Sequence, residues 1–117
     1  MACQASHPDL SERGDEESQN LLPVLQALAD PSRLRIVRLL RERERCVCHL
    51  TEVLDVKQST ISHHMSVLKR VGLVSDRRDP RDGRWVYYSL APSAGETGRR
   101  LADLLDSSSV DPTPAAC

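Results

Sequence analysis

Phenylalanine is absent from this chain, and its aromatic side chains number only three, Trp85, Tyr87 and Tyr88. A core must therefore be assembled from Leu, Val and Ile, which favours helices closing over one another in a dimer. No apolar run approaches the ~20 residues of a membrane-spanning helix. Met1-Ala2-Cys3-Gln4 leads into polar sequence rather than a secretory signal, so the expected compartment is the cytoplasm, with no membrane partner. A Gly-rich anion loop is missing, and no base is placed beside a thiol, which argues against a thiol enzyme. A length of 117 residues leaves room for one domain, or for a protomer whose core a second copy completes.

The small net charge of −1 conceals an uneven distribution. Residues 31–84 carry thirteen basic and seven acidic side chains, residues 1–30 one and six, and residues 85–117 two and four. A basic middle on an acidic frame suits a polyanion bound by one face. The run Arg41-Glu42-Arg43-Glu44-Arg45 taken alone reads as a solvated, salt-bridged helix.

Residues 1–18 are polar and without period, and read as a mobile arm, with order beginning near Asn20. Leu21, Leu22, Val24, Leu25, Leu28 and Ala29 form an apolar stripe too large for a solitary helix, and Pro23 fits only a first turn. Asp30-Pro31 restarts the chain as N-cap and first helical residue, followed by Leu34, Ile36, Val37, Leu39 and Leu40. Two short amphipathic segments follow, one with Leu50, Val53 and Leu54, the other with Ile61, Met65 and Leu68. Asp55-Val56-Lys57-Gln58 between them has the length of a helix–turn–helix turn, and Gly72 closes the second helix. An extended segment from Leu73, a turn at Asp79–Arg84 with an Asp82-Gly83 hairpin signal, and a return strand Trp85–Leu90 predict a two-stranded wing. Pro92 opens a last helix bearing Leu101, Leu104 and Leu105. The expected organisation is an arm (1–18), a DNA-binding and dimerisation domain (19–106) and a disordered tail (107–117).

Within residues 58–70, Ile61, Met65 and Leu68 point inward, while Gln58, Ser59, Thr60, Ser62, His63 and Ser66 point elsewhere. Gln pairs bidentately with adenine, and Ser or Thr reaches base edges or phosphates. Lys69, Arg77, Arg81 and Arg84 are the candidate phosphate contacts, which position a protein without reading sequence. Of His63 and His64, one is expected at DNA and the other in packing.

Four cysteines without an export signal point to a metal or redox site rather than a disulfide framework. Cys46 and Cys48 fall at the expected start of the first helix of the pair. Residues two apart on a regular helix lie on nearly opposite sides, so one ion held by both thiolates requires that turn to be absent or to unwind. Soft thiolates select thiophilic ions over calcium or magnesium. The bland alternative is two small packing residues. His49 is a further neighbour, with a capping or surface role as its alternative.

Ala27-Leu-Ala-Asp-Pro-Ser-Arg-Leu-Arg-Ile, Cys46-Val-Cys48-His-Leu, Gln58-Ser-Thr-Ile-Ser-His-His-Met and Gly83-Arg-Trp-Val-Tyr-Tyr-Ser-Leu together resemble the ArsR/SmtB family of winged helix-turn-helix metalloregulators. The resemblance covers roughly Leu21 to Leu105. It implies a mainly α fold with a small β-hairpin, a homodimer joined through the first and last helices, and repression of double-stranded operator DNA. No cofactor is expected for DNA binding. The implied inducer is arsenic(III), with antimony(III), cadmium(II) and lead(II) as further candidates. Thr51 stands where the best-known arsenic repressors carry a third cysteine, so Cys3, Cys117 or a small cellular thiol are the candidate third donors, each tail cysteine having an idle role as its alternative. Asp103 and Asp106 without histidine depart from the zinc-sensing pattern. Competing expectations are a redox repressor joining Cys46 to a tail cysteine, and a metal-buffering protein that ignores DNA.

Overall fold

The computed structural model describes residues 8–108, so Cys3 and Cys117 lie outside the described residues. Five helices and three strands follow in the order α1 (Pro8–Leu28), α2 (Pro31–Glu42), β1 (Arg45–Cys46), α3 (Val47–Leu54), α4 (Gln58–Arg70), β2 (Val74–Arg78), β3 (Val86–Leu90) and α5 (Ala94–Leu105). None of these helices is long and apolar enough to cross a membrane.

The first helix departs from expectation at both of its marked points. It begins at Pro8 rather than near Asn20, so much of the stretch assigned to a mobile arm is helical. Proline at a helix start and acidic residues over the first turns suit the positive end of a helix dipole, which outweighs the weak apolar pattern there. Pro23 lies inside the helix, not in its first turn. It is exposed, so water can reach the carbonyl that its missing N–H leaves unpaired.

Asp30 takes an extended conformation (φ −147°, ψ 127°), and its carboxylate accepts from the Arg33 N–H at 3.0 Å, with Pro31 opening α2. That helix buries Ile36 and Leu40. It stops at Glu42, so the Arg41–Arg45 run is not one solvated helix: Arg45 sits in β1 and is buried. Asp55 caps α3 in the left-handed region (φ 55°), a conformation its short polar side chain tolerates. Gly72, at φ +79°, ends α4, with its N–H donating to Lys69 O and that of Leu73 to Leu68 O, both at 3.0 Å. These two bonds make a Schellman closure that a Cβ would strain.

Ile36, Leu50, Ile61, Met65 and Leu68 are fully buried and join α2, α3 and α4. Val24 and Ala27 from α1, Leu73 and Val74 from the start of the hairpin, and Tyr88 from β3 complete this core. The sheet is antiparallel with order β1-β3-β2, one strand more than the expected hairpin. The extra strand pairs Arg45 with Tyr88 and Cys46 with Tyr87, and at two residues it is too short to show a sequence period. The turn is also longer than an Asp-Gly hairpin: Asp79 N donates to Trp85 O and Trp85 N to Asp82 O, leaving Trp85 before the strand. Ser93 Oγ bonds Gly72 O, fixing the approach to α5 against the end of α4.

Replacing Asp30 by Ala removes the α2 cap and is expected to cost about 1 kcal/mol near neutral pH, measured by urea denaturation. The Arg33 N–H holds the Asp30 carboxyl below its ordinary 3.8. Its ionic contribution is therefore complete above 3.8 and fades as pH falls through the lower folded value, so wild type and D30A converge there.

Candidate functional site

The sequence around Cys46 makes a strand end and a helix start coincide. Cys46 is extended (φ −81°, ψ 160°), pairs with β3, and serves as the N-cap of α3, its Sγ accepting from the His49 N–H at 3.2 Å. Cys48 lies in the first turn, its Cα 5.3 Å from that of Cys46, and the two sulfurs form a disulfide. This is the absent-turn case of the two the sequence allowed: Cys46 precedes the helix and its side chain turns back over the first turn. The tail cysteines of the expected redox pairing lie outside the described residues, and Cys46 is bonded here to Cys48.

Arg45 fixes this segment from below. Its guanidinium, 8% exposed, donates to Leu39 O at 3.3 Å, approaches His49 Nε2 at 3.1 Å and pairs with Glu42 at 2.8 Å. A guanidinium only donates, so Nε2 is the acceptor and the His49 ring is occupied in holding α2 to α3. Among the described residues no cluster of three or more His, Cys, Asp or Glu side chains is placed to share an ion. Among the described residues the thiol pair is Cys46 and Cys48, with Cys48 exposed and Cys46 half-buried.

Cys48 opens into a groove of about 560 Å³ between α3, the start of α4 and the base of the wing, lined by Val47, Thr51, Gln58, Arg84, Trp85 and Val86. The thiol site therefore shares a wall with two of the residues assigned to DNA, Gln58 and Arg84. Thr51 donates its hydroxyl to Cys48 O at 2.8 Å.

On α4, Gln58, Ser59, Ser62, His63 and Ser66 are exposed and Thr60 is half-buried, on the side away from Ile61, Met65 and Leu68. His64 turns inward, where Arg33 Nη1 meets its Nδ1 at 3.3 Å. Arg33 also donates to Ala27 O, so one side chain ties the end of α1 to the recognition helix. Sequence reasoning missed this link; Arg33 stood out only as one of many basic residues.

The basic residues are less free than their number suggests. Arg77 makes two bonds to Glu44, at 2.8 and 2.7 Å, and stacks 4.6 Å over the Tyr87 ring. Lys69 pairs with Asp76 at 3.0 Å, and Arg84 with Asp82 at 2.9 Å. The guanidinium beside each of Glu44 and Asp82 holds that carboxyl below its ordinary value. Arg78 donates to Gly83 O. The Arg81 side chain has no hydrogen-bond partner among the described residues, though its N–H is held by Asp79.

Residues 30–76 match the description "Bacterial regulatory protein, arsR family". A transcriptional repressor SmtB homolog of Synechocystis sp. is 40% identical over 94 residues, covering 80% of this chain and 69% of that protein. The chain belongs to the ArsR/SmtB family. The arsenical resistance operon repressor of Escherichia coli K12 is 42% identical over 86 residues, 71% of each. The crystal structure of NolR from Sinorhizobium fredii superposes with a TM-score of 0.63 at 31% identity, covering 87% of this chain and 96% of that one. This ArsR-family chain is a winged-helix transcriptional repressor and not an enzyme, and α3 and α4 are its helix–turn–helix.

Burial is the chief cause holding His64 below its ordinary 6.5, opposed by the Asp30 carboxylate and reinforced by Arg33 and His63. The neutral ring is thus the folded form, and its contribution is complete above 6.5 and lost as pH falls through the lower folded value. Urea denaturation between pH 7.5 and 5 is expected to show stability falling with pH, with a smaller decline in His64→Gln.

Proposed function

We propose that this repressor binds operator DNA as a homodimer and is released when arsenic(III) or antimony(III) binds the thiolates of Cys46 and Cys48. The observation that carries this reading is the convergence of two soft sulfurs at the N-terminus of α3, the helix that immediately precedes the recognition helix α4. The Cys46 sulfur sits at the N-terminus of α3 and accepts from the His49 N–H. Homodimerisation is supported by apolar residues left exposed on the outer helices, Leu22 and Leu25 on α1 and Leu104 and Leu105 on α5. Exposed leucines on the outer helices suit burial against a second copy.

The route to release differs from an unwinding of α3. Cys46 is at once a donor residue, the cap of α3 and a residue of the sheet, so an ion on its sulfur acts directly on the start of α3 and on the pairing with β3. Cys48 faces the groove that Gln58 and Arg84 share, so a change there bears on both the reading helix and the wing. Gln58, Ser59, Thr60, Ser62 and His63 then supply base or phosphate contacts, and Lys69, Arg77, Arg81 and Arg84 exchange their carboxylate partners, where they have them, for phosphates. Cadmium(II) or lead(II) is the alternative input on the same thiolates, with a third donor from Cys3, Cys117 or a small thiol. A second reading, thiol–disulfide sensing, is favoured by the bond between Cys46 and Cys48 themselves.

Reduced protein on a fluorescent duplex from its own upstream region separates these inputs. Arsenite is expected to weaken binding about 5–150-fold. Cys46→Ser and Cys48→Ser proteins should bind DNA and not let go. Release by peroxide alone, with arsenite, cadmium and lead inert, overturns the metalloid reading. In the same assay, Arg81→Ala should reduce the salt slope of binding by about one.

A further inference from the structure

The groove beside Cys48 is larger than a bare ion requires, and its composition is uneven. Val47, Val86 and the ring of Trp85, 47% exposed, make an apolar wall, while Thr51 and Gln58 edge it with polar groups. A volume of about 560 Å³ lies within the range of sites for small organic molecules. We propose that this groove receives the organic substituent of a monosubstituted trivalent arsenical, R–As(III), with R an aryl ring stacked on Trp85 and the arsenic held by Cys46 and Cys48. This rests on the thiolate site proposed above and specifies its ligand class.

Trivalent arsenic makes three bonds, and the paired cysteines supply two. One helical turn beyond Cys48, where a third sulfur would be in reach, stands Thr51. Its hydroxyl is a hard donor and is already engaged with Cys48 O. An arsenical that brings its own third substituent needs no further thiol. Cys48 lines the groove, so a group attached to arsenic on its sulfur projects along the wall that Trp85 closes. Aromatic rings prefer offset or edge-to-face contact with such a ring, and the indole is half-exposed where it lines the groove.

The chemistry balances without a redox step on arsenic. From R–As(OH)₂ and the two thiols, two As–S bonds form and two As–O bonds break. Two waters leave with the thiol protons, and arsenic stays trivalent. The Cys46–Cys48 disulfide must first be reduced to the dithiol, which a small-thiol reductant does by thiol–disulfide exchange, yielding its own disulfide.

Trp85 is the single tryptophan of the chain, so its emission reports on the groove directly. Full-length protein, reduced and freed of reductant under nitrogen, is titrated with phenylarsonous acid and with arsenite, by calorimetry and by fluorescence. Phenylarsonous acid is expected to bind at least about tenfold more tightly than arsenite and to alter the Trp85 emission. Trp85→Ala should lose about tenfold toward the phenyl probe and stay within about twofold toward arsenite, and Trp85→Phe should recover most of the loss. Thr51→Cys, with a third thiolate, should tighten arsenite and erase the aryl preference. Normal arsenite binding, with the phenyl probe equally tight in wild type and Trp85→Ala, overturns this inference and leaves the thiolate site standing. Failure of both probes to bind in a Cys46- and Cys48-dependent way overturns the site itself.

Discussion

Two residues of antiparallel pairing, Arg45 with Tyr88 and Cys46 with Tyr87, hold the functional parts of this protein together. Through them the wing strand β3 is joined to the residue that caps α3, and α3 packs against α4 through Leu50 and Ile61. Remove that pairing and the wing touches the helix–turn–helix mainly by its apolar base. The buried Arg45 reinforces it, because a desolvated guanidinium is tolerated only with its donors engaged, and Leu39 O, His49 and Glu42 engage them. Of the two thiol positions, Cys46 pairs with the wing strand and Cys48 lines the groove that Gln58 and Arg84 also line.

The basic surface is organised as exchangeable pairs. Arg77–Glu44, Lys69–Asp76 and Arg84–Asp82 are solvent-exposed contacts of the kind that adds little to stability. Each pair holds a long basic side chain against the surface. Arg77 is further held by the Tyr87 ring, on the same strand that pairs with Cys46.

Much of the scaffold was legible where a single residue carries a local physical demand. Asp30-Pro31 announced a helix start, Gly72 a left-handed closure, and Ile61, Met65 and Leu68 the inner face of α4. The helical stretch from Pro8 was not, because its residues are polar and the apolar stripe begins only at Leu21. β1 was illegible for a different reason: two residues have no period, and their partner lies more than forty positions away in the sequence. That omission also hid how the sulfurs meet, since Cys46 is an extended strand residue that caps α3 rather than a residue of the helix. The salt-bridge assignments of the basic residues and the Arg33–His64 contact depend on tertiary neighbours and have no signature in spacing.

The unequal exposure of the two sulfurs gives the site a direction. Cys48 is open to solvent, while Cys46 is half-covered and tethered by the His49 N–H. The bond between the two sulfurs and the His49 N–H contact coexist, so joining the pair leaves the start of α3 in place, and of the two it is the outer sulfur that solvent reaches more freely.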